Sequence, residues 1–224
     1  MRPTVRIFVQ DAAENLPIAD PVVEIGSRPA EGQEQEANLR SYFAGHTYIG
    51  CDVVAGPNVD QIEDIHALSF ADASVGTIVC VETLEHVADP HRGMREIYRV
   101  LKPGGVVILT SVMFLTIHEH PDYWRFTPEG FALLLEPFET SLAFGFGYDL
   151  LPEGVHGIGI KGSFPGLTRD RFPRIDDACR RWGTGMPIDI GPIRMTIPHL
   201  WRFAVRSTMD AGRRGVDRVR KRSQ

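Results

Sequence analysis

Residues 76–111 read GTIVCVETLEHVADPHRGMREIYRVLKPGGVVILTS. Gly76–Val81 is an almost uniformly apolar run, the pattern of a strand covered on both faces. Asp89-Pro90 then supplies a helix start, an Asp cap with Pro in the first turn. Met94, Ile97, Val100 and Leu101 recur at helical spacing, and Lys102-Pro103-Gly104-Gly105 stops the helix and turns the chain. Val106–Thr110 is a second apolar strand. Strand, helix and strand in this order form a βαβ unit with parallel strands, which sets the fold class as α/β.

Working toward the N-terminus, Val22-Val23-Glu24-Ile25-Gly26-Ser27 is another strand ending on a glycine turn. Glu24 is its anomaly, since a carboxylate in an apolar strand costs several kcal/mol unless it is paired. Nearby protein donors or a polar ligand would satisfy it. A helix is expected over Gln33–Phe43, with Ala37, Arg40 and Phe43 on one side, and a weaker one over Asp11–Ala19. His46–Cys51 reads as a strand closed by Asp52, and Gln61–Ile65 as a short strand ending beside Asp64. Toward the C-terminus, Thr127-Pro128 starts a helix over Glu129–Leu135. Thr140–Phe146 and Val155–Lys161 follow with no helix between them, so they are expected to pair antiparallel. The whole is a doubly wound, mostly parallel sheet with an antiparallel edge. Beyond Ser163, Ile175–Trp182 is expected to be a short helix, Gly183–Pro198 a loop and His199–Val219 a helix. The domain is placed at 1–165, followed by a basic C-terminal extension at 166–224.

The 224 residues are 43% hydrophobic and 24% charged, ordinary values for a globular chain. Cys51, Cys80 and Cys179 show no metal-ligand spacing and read as buried thiols in a reducing compartment. No secretory signal is visible, and the apolar run Val106–Ile117 is too short to span a bilayer, so a cytoplasmic protein is expected. The net charge of −5 hides an asymmetry: acidity dominates before Thr168, and the chain ends on the basic run Arg213–Arg222. That run reads either as a solvated tail or as a contact for an anionic membrane surface or polyanionic partner. Nucleic acid is not expected, because the acidic remainder opposes it. A monomer and a homo-oligomer are both compatible with this composition.

The motifs VVEIGS, YIGCDVV, DIHALSFADAS, VCVETLEHVADP and EIYRVLKPGG, with the strand after them, resemble the class I S-adenosylmethionine-dependent methyltransferases, in particular the type 11 methyltransferase domain. The resemblance covers about Val22 to Lys161. It implies a Rossmann-like seven-stranded sheet of order 3-2-1-4-5-7-6 with only strand 7 antiparallel, and S-adenosylmethionine as cofactor. Position by position, it implies Glu24 and Gly26 at the methionine end and Asp52 on the ribose hydroxyls, with the Ser27 side chain a cofactor contact in place of lost backbone ones. Asp64 and Ile65 would hold adenine, and Glu82 would lie under the sulfonium. The family's first loop reads GxGxG, whereas Gly26-Ser27-Arg28-Pro29-Ala30 carries one glycine and a proline.

A sulfonium is an activated methyl donor, so in-line positioning supplies much of the rate, and an oxygen acceptor gains from a nearby base. His118, His120 and Asp122, after the strand Val106–Thr110, are the candidates, with His118 or His120 foremost and His86 in reserve. His118-x-His120-x-Asp122 would ligate a metal only if alternating loop positions converged, so no metal site is expected. Tyr123-Trp124-Arg125-Phe126 either caps a substrate pocket by stacking or seals the core. The segment HEHPDYWRFTPEGFALLL also resembles family members near polysaccharide biosynthesis, which suggests a small-molecule or saccharide-like acceptor, methylated at oxygen. Two other readings stay open: a degenerate domain kept as a binding or scaffold module, and a nucleotide-sugar or dinucleotide enzyme using the acid after the second strand.

Overall fold

The structure, a computed structural model, describes residues 1–30, 32–35, 37–148, 151–182, 187–190 and 193–196. It comprises two compact units, Met1–Asp176 and Asp177–Gln224. In the first unit a helix, α1 (Pro3–Asn15), precedes β1 (Val22–Ile25), β2 (Tyr48–Asp52), β3 (Gln61–Ile62) and β4 (Val75–Val81). Then come α2 (Pro90–Val100), β5 (Leu101–Val112), α3 (Pro128–Leu134), β6 (Thr140–Tyr148) and β7 (Leu151–Ile160). The seven strands form one sheet of order β3-β2-β1-β4-β5-β7-β6. β7 runs antiparallel to both of its neighbours, and the pairs from β3 to β5 are parallel. This is the doubly wound, Rossmann-like order that the motifs implied.

Alternation along the central strands divides the core between two faces. Val23, Ile25, Ile78, Cys80, Val107 and Leu109 pack in one apolar cluster with Met94, Ile97 and Val100 of α2 and Phe131 and Leu134 of α3. On the other face lies Phe8 of α1, whose ring centroid is 4.5 Å from that of His156 in β7 and 5.8 Å from that of Phe144 in β6. Gly159 of β7 permits a close approach: a Cβ there would stand 2.7 Å from the Phe138 ring. The glycine-rich run that follows Val155 is therefore an inner strand, between β5 and β6, fitted around aromatic side chains.

Two caps form as read. Asp89 accepts a hydrogen bond from Arg92 N at 2.9 Å, and Thr127 accepts one from Gly130 N at 3.1 Å. Several elements differ from expectation. The first helix covers Pro3–Asn15, because Val5, Phe8, Val9 and Ala12 make a buried stripe at helical spacing. Among the described residues of Gln33–Phe43 no α-helix forms; turns lead to a single 3₁₀ turn at Arg40–Phe43. Gln33, Glu34 and Gln35 offer nothing to bury, and Ala37 would fall on the opposite side of a helix from Leu39 and Phe43. Arg40 instead ties the segment to the sheet edge, bonding Tyr48 O and Asn58 O and pairing with Asp60. β3 stops at Ile62, since Glu63 turns inward to accept from Ser69 N at 2.8 Å. β5 begins at Leu101, and Gly104, at φ +80°, carries the irregular stretch before Val106 resumes pairing.

In the second unit the loop expected over Gly183–Pro198 contains an antiparallel hairpin, β8 (Pro187–Ile190) and β9 (Ile193–Thr196). The helix α4 (Pro173–Trp182), which begins in the first unit and ends in the second, covers the expected Ile175–Trp182. The helix expected over His199–Val219 lies outside the described residues. Among the described residues, no helix is long and apolar enough to cross a membrane.

Candidate active site

The parallel strands β1, β2, β4 and β5 end along one edge, where ligands bind in open α/β sheets. β1 leaves the sheet at Gly26, which adopts φ +81°. A Cβ at this position would stand 2.1 Å from Thr83 Oγ1, so both backbone and packing call for glycine. Gly26 N and Ser27 N both donate to Cys51 O, at 2.8 and 2.9 Å. The next amide, Arg28 N, donates to Asp52 Oδ2 at 3.2 Å, and Val54 N reaches Asp52 Oδ1 at 3.1 Å. Cross-bonds to the end of β2 thus hold a turn that has few glycines. Among the described residues, the hydroxyl of buried Ser27 has no partner, an orphan polar atom inside the turn after β1.

Glu24 finds its partner within the protein: Tyr48 donates its hydroxyl to Glu24 Oε2 at 2.7 Å. Burial pushes this carboxyl up to about 7, partly offset by Tyr48 and by Arg40. Asp64 is exposed and accepts from His66 N at 2.8 Å and from His66 Nδ1 at 2.7 Å, which holds it below the usual carboxylate range. Ile65 beside it is buried against α2, facing Gly93.

Glu82 follows β4 with φ +51°, a left-handed conformation that a non-glycine residue keeps only where its surroundings impose it. Its amide donates to Thr110 O at 3.0 Å, and its carboxylate accepts from Thr110 Oγ1 at 3.0 Å. Arg2 grips the same carboxylate with two bonds of 2.8 Å and also donates to Glu153 O at 3.2 Å. Burial alone would lower the Arg2 pKa, but the charge and hydrogen bonds of Glu82 outweigh it and the net shift is upward. The Met1 amino group bonds Gln33 Oε1, so the first two residues reach both the Glu82 and Gly32 regions of this edge. Neither Arg2 nor Tyr48 was singled out from sequence; both act across long sequence separations.

Between β5 and α3 the chain leaves at Val112 and returns at Phe126, whose N–H donates to Val112 O at 3.1 Å. Tyr123 N and Trp124 N both donate to Glu85 O, and Trp124 Nε1 donates to Val87 O at 2.8 Å, stitching this loop to the one after β4. Asp122 braces the loop: Arg125 binds both of its oxygens, at 2.5 and 2.7 Å, and His118 N donates to it at 3.0 Å. Arg125 holds its carboxyl well below the ordinary range, so Asp122 stays ionised and engaged. His120 is exposed, whereas His118 turns toward His86, with ring centroids 5.1 Å apart.

Glu85, passed over in the sequence, lies beneath these rings. It is fully buried, and its Oε2 accepts from Ser111 Oγ at 2.7 Å. Burial, with the charge of Glu82 added, pushes Glu85 up to about 8 against the Ser111 bond. Its flanks, Leu84 and Val87, were the available signal: a carboxylate between residues that must be buried. The edge thus divides into a first-loop half (Gly26, Ser27, Asp52) and a half beyond β4 and β5 (Glu82, Glu85, His86, His118). Of the residues singled out from sequence, His120, Asp64 and Asp122 face solvent or their own loop, and Glu24 is turned toward Tyr48.

Residues 35–109 match the sequence profile of a methyltransferase domain. A ubiquinone biosynthesis O-methyltransferase of Pseudomonas savastanoi pv. phaseolicola is 35% identical over 79 residues, 35% of this chain and 26% of that protein. Its counterpart in Pseudomonas aeruginosa (strain LESB58) is 34% identical over the same length. The chain thus spans about a quarter of the length of these curated relatives. A Thermotoga maritima protein described as a possible histamine N-methyltransferase superposes with TM-score 0.54 at 19% identity, over 70% of this chain and 89% of that one. The methyltransferase CalH, solved with S-adenosylhomocysteine, gives 0.53 at 14% identity, over 69% and 55% of the two chains. These structures share the fold. The profile match to a methyltransferase domain thus falls within a sheet of Rossmann-like order, the fold these solved methyltransferases share.

Proposed function

We propose that this protein transfers a methyl group from S-adenosylmethionine to an oxygen of a small-molecule acceptor. The observation that carries the acceptor chemistry is the meeting of Glu82, Glu85, His86 and His118 just beyond β4 and β5, since proton-accepting groups gathered there suit a hydroxyl losing its proton. The curated relatives named as O-methyltransferases support oxygen as the methylated atom.

On this reading, Asp52 accepts the ribose hydroxyls, and Ser27, with its buried unpartnered hydroxyl, bonds the cofactor beside Gly26. Asp64 and Ile65 hold the adenine, and Glu82 faces the cationic end of the cofactor. The bound cofactor supplies an electrophilic methyl on sulfur. The protein orients the acceptor and takes its proton at the histidine and carboxylate cluster, with His118 as the acceptor of that proton. Glu24, held by Tyr48, shapes the base of the first loop. Tyr123 and Trp124 are 54% and 41% exposed beside the cluster and offer ring faces on which a saccharide-like acceptor could stack. Residues 177–224 form a unit accessory to the domain.

Isothermal titration of the full chain with S-adenosylmethionine and S-adenosylhomocysteine is the direct test. Saturable binding of both at micromolar to low millimolar concentration is the expected result. No heat from either up to millimolar concentration would remove the enzyme reading and leave a scaffold module in its place.

A further inference from the structure

We propose that Glu85, His86 and His118 form a binding site for a first-row divalent cation at the acceptor side of the domain. One ligand atom from each residue can be chosen so that all three lie within 4.8 Å of one another. The sequence directed attention to His118-x-His120-x-Asp122; the fold joins His118 to the loop after β4 instead.

Three independent features make this more than proximity. First, Glu85 is fully buried, and among the described residues only one of its oxygens is occupied: Oε2 accepts from Ser111, while Oε1 has no partner there. A buried carboxylate oxygen without a donor is costly, and a cation would relieve that cost. Second, His86 Nδ1 lies 2.7 Å from the carbonyl oxygen of Pro121, which can only accept. Nδ1 therefore carries the proton and Nε2 presents its lone pair. Third, His118 repeats this arrangement with Thr116 O at 3.3 Å, and Asp122 Oδ2 lies 3.5 Å from the same nitrogen. Carbonyl and carboxylate oxygens that fix the inner nitrogen of a ligating histidine are the usual outer support of a metal site.

Two imidazoles and one carboxylate suit zinc, cobalt, manganese or ferrous iron, and three protein ligands leave coordination positions open. Bonds of about 2.1 Å would draw the ligand atoms to about 3.4 Å from each other, so the cluster, with atoms within 4.8 Å, must close by up to about 1.4 Å. His118, on its loop and 35% exposed, is the side chain with room to move. An acceptor hydroxyl in an open position would be acidified by coordination, and the imidazoles would then serve as ligands instead of bases. That role rests on the methyl-transfer reading; occupancy of the site does not.

The test uses the full chain, stripped with chelator and titrated with Co²⁺, read by its visible absorption and by calorimetry with Zn²⁺ as competitor. The expected result is one cobalt per chain at this site. Glu85→Gln and His118→Asn should each weaken binding at least tenfold, and His91→Ala, on the exposed start of α2, should leave it unchanged. His118→Asn changes a half-exposed loop side chain and so guards against misfolding of the Glu85 variant, checked by circular dichroism. Cobalt affinity equal in the wild type and in His118→Asn would overturn the proposal. Titration with S-adenosylmethionine on the same preparations separates the two readings, since cofactor binding without cobalt binding removes only the metal site.

Discussion

Replacing Gly26 with Ala should destabilise the domain through two separable effects. The residue sits at φ +81°, and an L-residue in the left-handed region costs about 1–2 kcal/mol. The new Cβ would also meet Thr83 Oγ1 at 2.1 Å and Thr83 Cγ2 at 2.7 Å, contacts that force something to shift. Overpacking of this kind costs about 1–3 kcal/mol, so the expected total is about 2–5 kcal/mol. Thr83 cannot turn away freely, because its hydroxyl donates to Val81 O at 3.0 Å and to Ile25 O at 3.3 Å. Thr83→Ala removes both offending atoms and leaves only its own Cβ, 3.0 Å from the Cβ of the new alanine. Urea unfolding of wild type, Gly26→Ala, Thr83→Ala and the double variant completes a thermodynamic cycle. The cost of Gly26→Ala should fall by about 1–3 kcal/mol in the Thr83→Ala background, with only the backbone part remaining. An equal cost in both backgrounds, within about 0.5 kcal/mol, would refute the packing argument.

Glu24, held up at about 7, keeps in the native state a proton that the unfolded chain loses near 4.5. Its contribution to stability is full below about pH 4.5 and declines as pH rises through 7, so Glu24→Gln should flatten the fall in urea midpoint between pH 5 and 8. Glu85, at about 8, acts in the same direction, whereas His156, lowered well below its ordinary value by burial, acts in the opposite one; an unchanged slope in Glu24→Gln would exclude this account. Asp52→Ala should weaken S-adenosylmethionine about tenfold to a hundredfold by calorimetry, the loss of charged hydrogen bonds worth about 1.5–3 kcal/mol, while the chain stays folded. Arg2→Ala should cost about 2–3 kcal/mol in thermal or urea unfolding, because Glu82 is left largely buried with Thr110 as its remaining donor. Adding Glu82→Gln should restore part of that loss; no restoration would mean that Arg2 acts by packing alone.

What could be read from sequence follows the range of the forces involved. Residues 76–111 declare themselves because strand, cap, apolar stripe and stop all lie within one stretch and agree. Sheet order came through the resemblance, since strand order is a property of long-range pairing that no local pattern carries. The helix over Gln33–Phe43 failed because helix-compatible composition was not matched by an apolar face, and Arg40 took its bonds to Tyr48 and Asn58 instead. The stripe Val5, Phe8, Val9 and Ala12 was legible but was masked by the alternation of charge around it. At the site, Glu82 and His86 stood out, and Glu85 between them did not. Its place beside His118 depends on the bonds from Tyr123 and Trp124 to Glu85 O, which join segments nearly forty residues apart.

The one-glycine turn after β1 gains a physical account from these bonds. Three glycines in such a turn give the backbone freedom to approach a ligand, at an entropic cost when the turn is ordered. Here the amides of Gly26 and Ser27 converge on Cys51 O, and that of Arg28 on Asp52, so the path is fixed by donors that any residue supplies. Glycine is required only where φ is positive and Thr83 stands in the way, and that is Gly26. The consequence is a division of labour along the sheet edge. Amides spent on Cys51 and Asp52 are not free for a ligand, so under the proposed function recognition would pass to side chains: the Asp52 carboxylate, the Ser27 hydroxyl and the Glu82 carboxylate. A cofactor held mainly by side chains should respond sharply to Asp52→Ala and Ser27→Ala. A turn built on free backbone donors would be largely indifferent to the second of these.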